Sequence, residues 1–155
     1  VPFDLRNIIH RIVHSHTFQA NEKGLKVSCV IDEAIPETWI GDSLRIGQVI
    51  NNLVSNSIKF TERGFIRISI FREYTEGNQT DIRFVFEDTG IGIAEKDISK
   101  IFDKFVQIDR KEDDYQGAGL GLSIVKKCLD VLHGDITFES EMDKGTTFFV
   151  TIPVK

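Results

Sequence analysis

Cysteine is scarce in this sequence: Cys29 and Cys128 are the only two, and they lie in apolar, patterned segments with no metal-ligand spacing. A disulfide scaffold and a thiolate metal site are thereby set aside in favour of two buried thiols in a reducing compartment. No apolar run approaches the roughly 18 residues a membrane span needs, and no secretory leader is recognisable. There is no internal repeat and no low-complexity tract. Nor is there an excess of positive charge: 19 basic against 24 acidic residues leave a formal charge of −5. A general nucleic-acid or anionic-membrane surface is excluded, and any anionic ligand has to be gripped locally. What is present is ordinary for one globular domain, with 41% hydrophobic and 28% charged residues over 155 positions. The abrupt opening "VPFDLRN" reads as the start of an excised domain, expected to reside in the cytoplasm.

Periodicity organises the chain. Leu5, Ile8, Ile9, Ile12 and Val13 recur every three or four residues, predicting an amphipathic helix from Leu5 to Phe18 with Asp4 as its cap. "LKVSCVI" alternates as a strand does, and "DEAIPETWIGD" reads as a loop. A longer helix starts near Asp42 with Leu44, Val49, Ile50 and Leu53 as its stripe, and Gly64 ends it. "FIRISIFREY" and "DIRFVFED" alternate as a hairpin pair around "TEGNQ". From Ala94 to Gly117 the chain is irregular and highly charged, as in a mobile surface lid. "LGLSIVKKCLDVL" then has helical period, His133-Gly134 suits its C-terminus, and "DITFES" and "TTFFVTIPV" are the last two strands. This order predicts an α/β two-layer sandwich: a mixed, mainly antiparallel sheet with about three helices on one face.

Three stretches could carry chemistry. In "QVINNLVSNSIKF", Asn52 and Asn56 are four apart and share a helix face, with Lys59 close to it. Two neutral amide oxygens and a lysine suit a hydrated magnesium ion and the phosphates it bridges. Taken alone, the segment is more simply a solvated polar face. "GAGLGLS" places Gly117, Gly119 and Gly121 just ahead of the helical pattern, where free amides and a positive helix end would hold an anion; alone, it is equally a tight loop. It is neither a Walker loop nor the dinucleotide fingerprint. In "EDTGIGI", Gly90 and Gly92 allow a turn and close ligand approach, whereas Asp88 would repel phosphate and must instead face a hydrogen-bond donor.

Taken in order, these pieces are far more specific. Gln48 to Phe60, Glu87 to Ile93, Ile101 to Gln107, Gly117 to Ser123 and Gly145-Thr146 resemble, respectively, the N box, first glycine box, phenylalanine box, second glycine box and final Gly-Thr of sensor histidine kinase catalytic domains. Those domains belong to the superfamily that includes DNA gyrase B, MutL and a heat-shock chaperone ATPase. The resemblance covers almost the whole chain and implies a single Bergerat-type domain over residues 1–155, with an ATP lid between Phe102 and Gly117. It implies that Asn56 binds magnesium with Asn52 alongside, and that Lys59 contacts phosphate; Asn56 and Lys59 are the catalytic candidates. Asp88 would accept from the adenine amine with Thr146 as its partner, because Phe148, Val150 and Ile152 alternate on the same side as Thr146. Gly90, Gly92, Phe105, Gly117, Gly119, Leu120 and Gly121 complete the implied ATP site.

The resemblance also implies a reaction. Superfamily ATPases place a glutamate general base four residues before the magnesium-binding asparagine, and here that position is Asn52, which cannot accept a proton at neutral pH. A phosphoryl-transferring kinase is therefore expected over a hydrolase. None of His10, His14, His16 or His133 has the family's phosphoacceptor context, so the acceptor histidine is expected on a separate dimerisation domain absent from this chain. A response-regulator receiver domain is the expected downstream partner in a two-component phosphorelay, and no nucleic acid or direct membrane contact is expected. The rival reading is a degenerate nucleotide domain acting only through protein contacts.

Overall fold

The computed structural model describes residues 2–35, 38–74, 80–90, 118–141 and 143–154. The lid expectation, with Gly92, Phe105 and Gly117, lies outside these residues.

The chain begins with β1 (Pro2–Phe3) and α1 (Leu5–Ser15). The Asp4 carboxylate accepts from the Asn7 N–H at 3.1 Å, satisfying one of the helix's orphan amides. Leu5, Ile8 and Ile9 are buried. The helix does not run on to Phe18: it stops at His16, and a short α2 (Thr17–Glu22) follows with Phe18 71% exposed. Side-chain competition accounts for the break. The Ser15 hydroxyl donates to the Ile12 carbonyl at 2.7 Å and the Thr17 hydroxyl to Val13 at 3.1 Å, while the His16 ring bonds Asn51 Oδ1 at 2.8 Å.

After β2 (Lys26–Ile31), the segment read as a loop contains β3 (Trp39–Ile40), which pairs antiparallel with β1. Two residues are too few to show a period, and the buried Trp39 side chain is what fastens them.

The next helix, α3 (Ser43–Phe60), is capped by Asp42, which accepts from the Arg45 N–H at 3.1 Å. Ile46, Val49, Ile50, Leu53, Val54 and Ile58 form its buried stripe. Leu44 was expected in that stripe but is 72% exposed. It lies two positions from Ile46, about 200° around the helix at 3.6 residues per turn. The helix ends before Gly64: Thr61 is already extended, and Lys23 Nζ takes the carbonyls of Ile58 (2.8 Å) and Lys59 (3.0 Å) at its C-terminus.

The main sheet adds β4 (Phe65–Tyr74), β5 (Thr80–Asp88), β6 (Asp135–Glu141) and β7 (Gly145–Val154) to β2, in the order β2-β4-β5-β7-β6. Only β2–β4 is parallel. The β4–β5 hairpin pairs Ile68 with Phe86 and Ile70 with Phe84, as the alternation predicts. Those residues, together with Ile66, Ile82, Phe148, Val150 and Ile152, make the core against the helices. Each such side chain contributes roughly 1.5–3 kcal/mol by leaving water. On the opposite face Arg67 pairs with Glu87 at 3.1 Å and stacks over Phe65 at 4.9 Å.

The remaining helix, α4 (Ala118–Leu132), packs on α3 and buries Val125, Cys128 and Leu129. It starts two residues earlier than its apolar period suggests, so Gly119 and Gly121 belong to its first turns rather than preceding it. At its C-terminus His133, not the following glycine, takes the left-handed conformation (φ 60°). Gly134 is needed for space, since a Cβ there would lie 2.7 Å from the Thr151 carbonyl oxygen. Among the described residues, no helix is long and apolar enough to cross a membrane. Both cysteines are free, and burial pushes the Cys29 thiol up to about 11 and raises Cys128 as well, so neither is a nucleophile at neutral pH.

Candidate functional site

The site is built around the last residue of β5. Strand alternation turns Ile82, Phe84, Phe86 and then Asp88 towards the helices, so the pattern that buries three apolar side chains also buries a carboxylate. Asp88 is only 9% exposed. Its Oδ1 accepts from the Gly90 N–H at 2.9 Å and from the Thr146 N–H at 3.3 Å, and Ser57 of α3 lies near the carboxylate. Burial raises the Asp88 pKa; Gly90, Thr146 and Ser57 and the neighbouring Glu87 charge act as smaller influences, the first three downwards and Glu87 upwards.

The ladder places Thr146 directly opposite Asp88, on the side expected from the Phe148, Val150, Ile152 alternation. Its main-chain N–H makes the contact. Its hydroxyl lies 2.8 Å from Ser140 Oγ on β6, and Thr147 faces the other way. Gly145 precedes it at φ +132°, and a Cβ there would overlap the Asp88 carbonyl oxygen and lie 3.0 Å from Thr89 Cα. Thr89 is itself a latch: its hydroxyl accepts from the Phe65 N–H at 3.1 Å and donates to the Arg63 carbonyl at 2.8 Å. Gly64, at φ +103°, leaves room for that hydroxyl. The turn after Asp88 is thus tied to the start of β4 as well as to β7.

The α3 residues supply the second half. Asn52 Nδ2 is bonded back to the Gln48 carbonyl at 2.8 Å, which leaves its amide oxygen as the group it can offer a cation. Asn56 Nδ2 is buried with no hydrogen-bond partner among the described residues. A buried open donor is costly unless something polar meets it, so this atom fits a phosphate or a hydrated ion. Lys59, one turn further on, is exposed. Gly119 and Leu120 lie in the first turn of α4, where main-chain amides lack intrahelical acceptors, and Gly121 follows them. Magnesium fits this set as an ion held by neutral amide oxygens and its own waters; among the described residues no His, Cys, Asp and Glu cluster offers an alternative metal site.

Electrostatics gives the ligand a direction. A cleft of about 380 Å³ beside Asp88 is lined by Glu87, Glu139, Glu141 and Lys144. Lys144 is engaged by Glu141 at 3.2 Å, so the three glutamates leave this cleft negative and it disfavours phosphate.

Sequence reading missed Ser57, Thr89 and Ser140. Ser57 left a signal: it lies four residues after Leu53 and three after Val54, a serine inside an apolar stripe, and it is 3% exposed. The other two acquire partners only across the sheet.

Comparison with known proteins agrees with this geometry. The family described as histidine kinase-, DNA gyrase B- and HSP90-like ATPase matches residues 41–155. The signal transduction histidine-protein kinase BarA of Escherichia coli (strain K12) is 39% identical over 153 residues, covering 98% of this chain and 17% of BarA. The chain thus spans about a sixth of that relative's length. Among solved structures, the nucleotide-free catalytic domain of the histidine kinase ThkA superposes with a TM-score of 0.80 at 30% identity, covering 99% of this chain and 95% of that one. Full-length ShkA in complex with AMPPNP gives a TM-score of 0.81 at 27% identity, covering 99% and 31%.

Proposed function

Since this chain belongs to the family of histidine kinase-, DNA gyrase B- and HSP90-like ATPases, we propose that it binds ATP with magnesium and donates the γ-phosphoryl group to a histidine on a separate dimerisation domain. The observation that carries the reading is the buried Asp88 carboxylate, oriented by Thr146 and Gly90 at the end of a rigid strand. A carboxylate kept from water in this way recognises an amine donor such as that of adenine, and rejects the carbonyl oxygen that guanine presents at the same place.

The chain's own residues divide the remaining work. Asp88 and Thr146 orient the base, while Asn52 and Asn56 hold the metal and Lys59 reaches the phosphates. The α4 amides of Gly119 and Leu120 would face phosphate oxygens, with Gly90 and Gly121 beside the ligand, and the resemblance assigns Gly92, Phe105 and Gly117 to the same ligand. Bound magnesium supplies neutralisation of phosphate charge. Asn52 has no basic oxygen with which to activate water, which favours transfer to an incoming imidazole over hydrolysis. The wider assembly follows from this reading: a phosphoacceptor domain of the same protein, a receiver domain downstream, and a cytoplasmic setting. The AMPPNP bound by ShkA supports the ligand class.

Calorimetric titration with ATP, ADP and GTP, with and without magnesium, tests the binding half. Offering ATP and a separate phosphoacceptor domain tests the transfer half. Equal affinity for ATP and GTP would overturn the assignment of Asp88, and no phosphohistidine on any offered domain would overturn the kinase reading.

A further inference from the structure

We propose that Lys23 is a positioning residue for the phosphate end of the site: it caps the C-terminus of α3 from a neighbouring turn and so removes that helix's own carbonyls as competitors for the Lys59 ammonium. The inference rests on the nucleotide reading above, in which Lys59 contacts phosphate.

An α-helix leaves its last carbonyls without intrahelical donors, and a left-handed glycine just past the end is the common remedy. α3 has no such cap. Thr61 follows it in extended conformation (φ −106°, ψ 119°), and Gly64 comes too late to close the last turn. The donors arrive instead from the turn between α2 and β2. Lys23 Nζ donates to the Ile58 carbonyl at 2.8 Å and to the Lys59 carbonyl at 3.0 Å, and reaches that of Thr61 at 3.4 Å. An ammonium has three donors, and these contacts engage all of them.

Lys23 is itself held in place. Gly24 after it is left-handed (φ +69°), with its N–H on the Asn21 carbonyl at 3.0 Å and the Leu25 N–H on the Ala20 carbonyl at 2.9 Å, the two bonds of a Schellman motif. Ala20 and Leu25 are buried, which anchors the turn in the core. The Lys26 N–H then bonds the Gly64 carbonyl at 3.2 Å, so one turn grips the chain both before and after Glu62 and Arg63.

This arrangement divides labour between two lysines. Lys59 is the basic residue of the last turn of α3. A cation there is attracted to the terminal carbonyls and to the negative end of the helix dipole. With Lys23 on those carbonyls, capping does not compete with phosphate for Lys59, and the main chain that carries Lys59 is fixed by one of the three bonds. Removing the Lys23 ammonium leaves orphan carbonyls in the turn that Lys59 belongs to, and its phosphate contact is then made at the expense of capping.

The test compares wild type, Lys23→Met, Lys23→Arg, Lys59→Ala and the Lys23→Met, Lys59→Ala double variant. ATP binding with magnesium is measured by calorimetry, and binding of adenosine, which has no phosphate, by NMR shift titration. Lys23→Met keeps the apolar stem and loses the donors. It should bind ATP about five- to tenfold more weakly while adenosine affinity stays within about twofold, as expected when one charge-assisted contact is weakened. Arginine also caps helix C-termini, so Lys23→Arg should return ATP affinity to within about twofold of wild type. On the Lys59→Ala background Lys23→Met should change ATP affinity by less than about twofold, because its effect passes through Lys59. Lys23→Gln, which is neutral, replaces Lys23→Met in each comparison if the latter does not fold. Equal losses for ATP and adenosine, or a loss retained on the Lys59→Ala background, would make Lys23 a stabiliser of the fold alone and overturn the proposal. Unchanged ATP affinity in Lys23→Met would overturn it too. A wild-type protein that binds neither ATP nor adenosine would overturn the nucleotide reading itself, whereas one that binds ATP and loses nothing on Lys59→Ala would overturn only the roles given to the two lysines.

Discussion

The main-chain N–H of Thr146 in β7 donates to Oδ1 of Asp88 at the end of β5, 3.3 Å away, while the Thr146 hydroxyl lies 2.8 Å from Ser140 Oγ in β6. Three adjacent strands therefore hold the carboxylate proposed to read the base, so its position is as stiff as the sheet. A ligand meeting it does not have to order a loop first, and less conformational entropy opposes binding.

Asp88→Asn separates recognition from folding. The amide keeps an oxygen for the Gly90 and Thr146 N–H groups, but its NH2 faces the adenine amine donor to donor, so ADP and ATP affinity should fall at least about tenfold. Stability should respond the other way. Burial raises the Asp88 pKa above its ordinary 3.8, so the folded state holds the proton to higher pH than the unfolded chain. Its favourable contribution is complete below the unfolded value and is lost as pH rises through the folded one. Asp88→Asn removes that loss, and the ligand-free variant should melt at or above the wild-type temperature at neutral pH. A melting temperature well below wild type would mean that the carboxylate is a structural anchor instead.

Gly145→Ala should damage the fold at the same spot. The added methyl overlaps the Asp88 carbonyl oxygen at a φ of +132° that alanine does not tolerate, at a cost of roughly 2–4 kcal/mol. Gly24→Ala is the control: φ is +69° but nothing lies within 4 Å of the new Cβ, so only the left-handed penalty of about 1–2 kcal/mol applies. Urea melts that place the two variants together would remove the overlap as the cause.

Asn56→Ala should abolish the magnesium dependence of ATP binding with little effect on the fold. Its Nδ2 makes no hydrogen bond among the described residues, so truncation removes an unsatisfied donor and should change stability by less than about 1 kcal/mol. Titrations with ATP at varied magnesium decide it, and magnesium dependence retained in a folded variant would reassign the ion.

At the end of α4, His133→Gly should stabilise the protein by about 0.5–1 kcal/mol, because His133 occupies φ 60° where glycine is unstrained. Gly134→Ala should destabilise it, since the Cβ would meet Thr151 O at 2.7 Å and Leu129 Cδ2 at 2.9 Å. Thermal melts of opposite sign at adjacent positions would be hard to reproduce by a general surface effect.

Local pattern carried the sequence reading a long way. The alternation of Ile66, Ile68 and Ile70 with Arg67 and Ser69 determines which face of β4 is apolar, because successive strand side chains point to opposite sides. The same rule put Thr146 on the side of Phe148 and hence of Asp88. The capping carboxylates Asp4 and Asp42 were equally legible, since a cap acts within three residues. What could not be read from local pattern depends on partners distant in the chain. The break at His16 involves Asn51, the β1–β3 pair needs Trp39 buried against the core, and Ser57 comes near Asp88 only once α3 lies across the end of β5. A period states which way a side chain points. Whether a polar one meets water or a carboxylate is decided by which element packs above it, and that depends on burial and register summed over the whole chain.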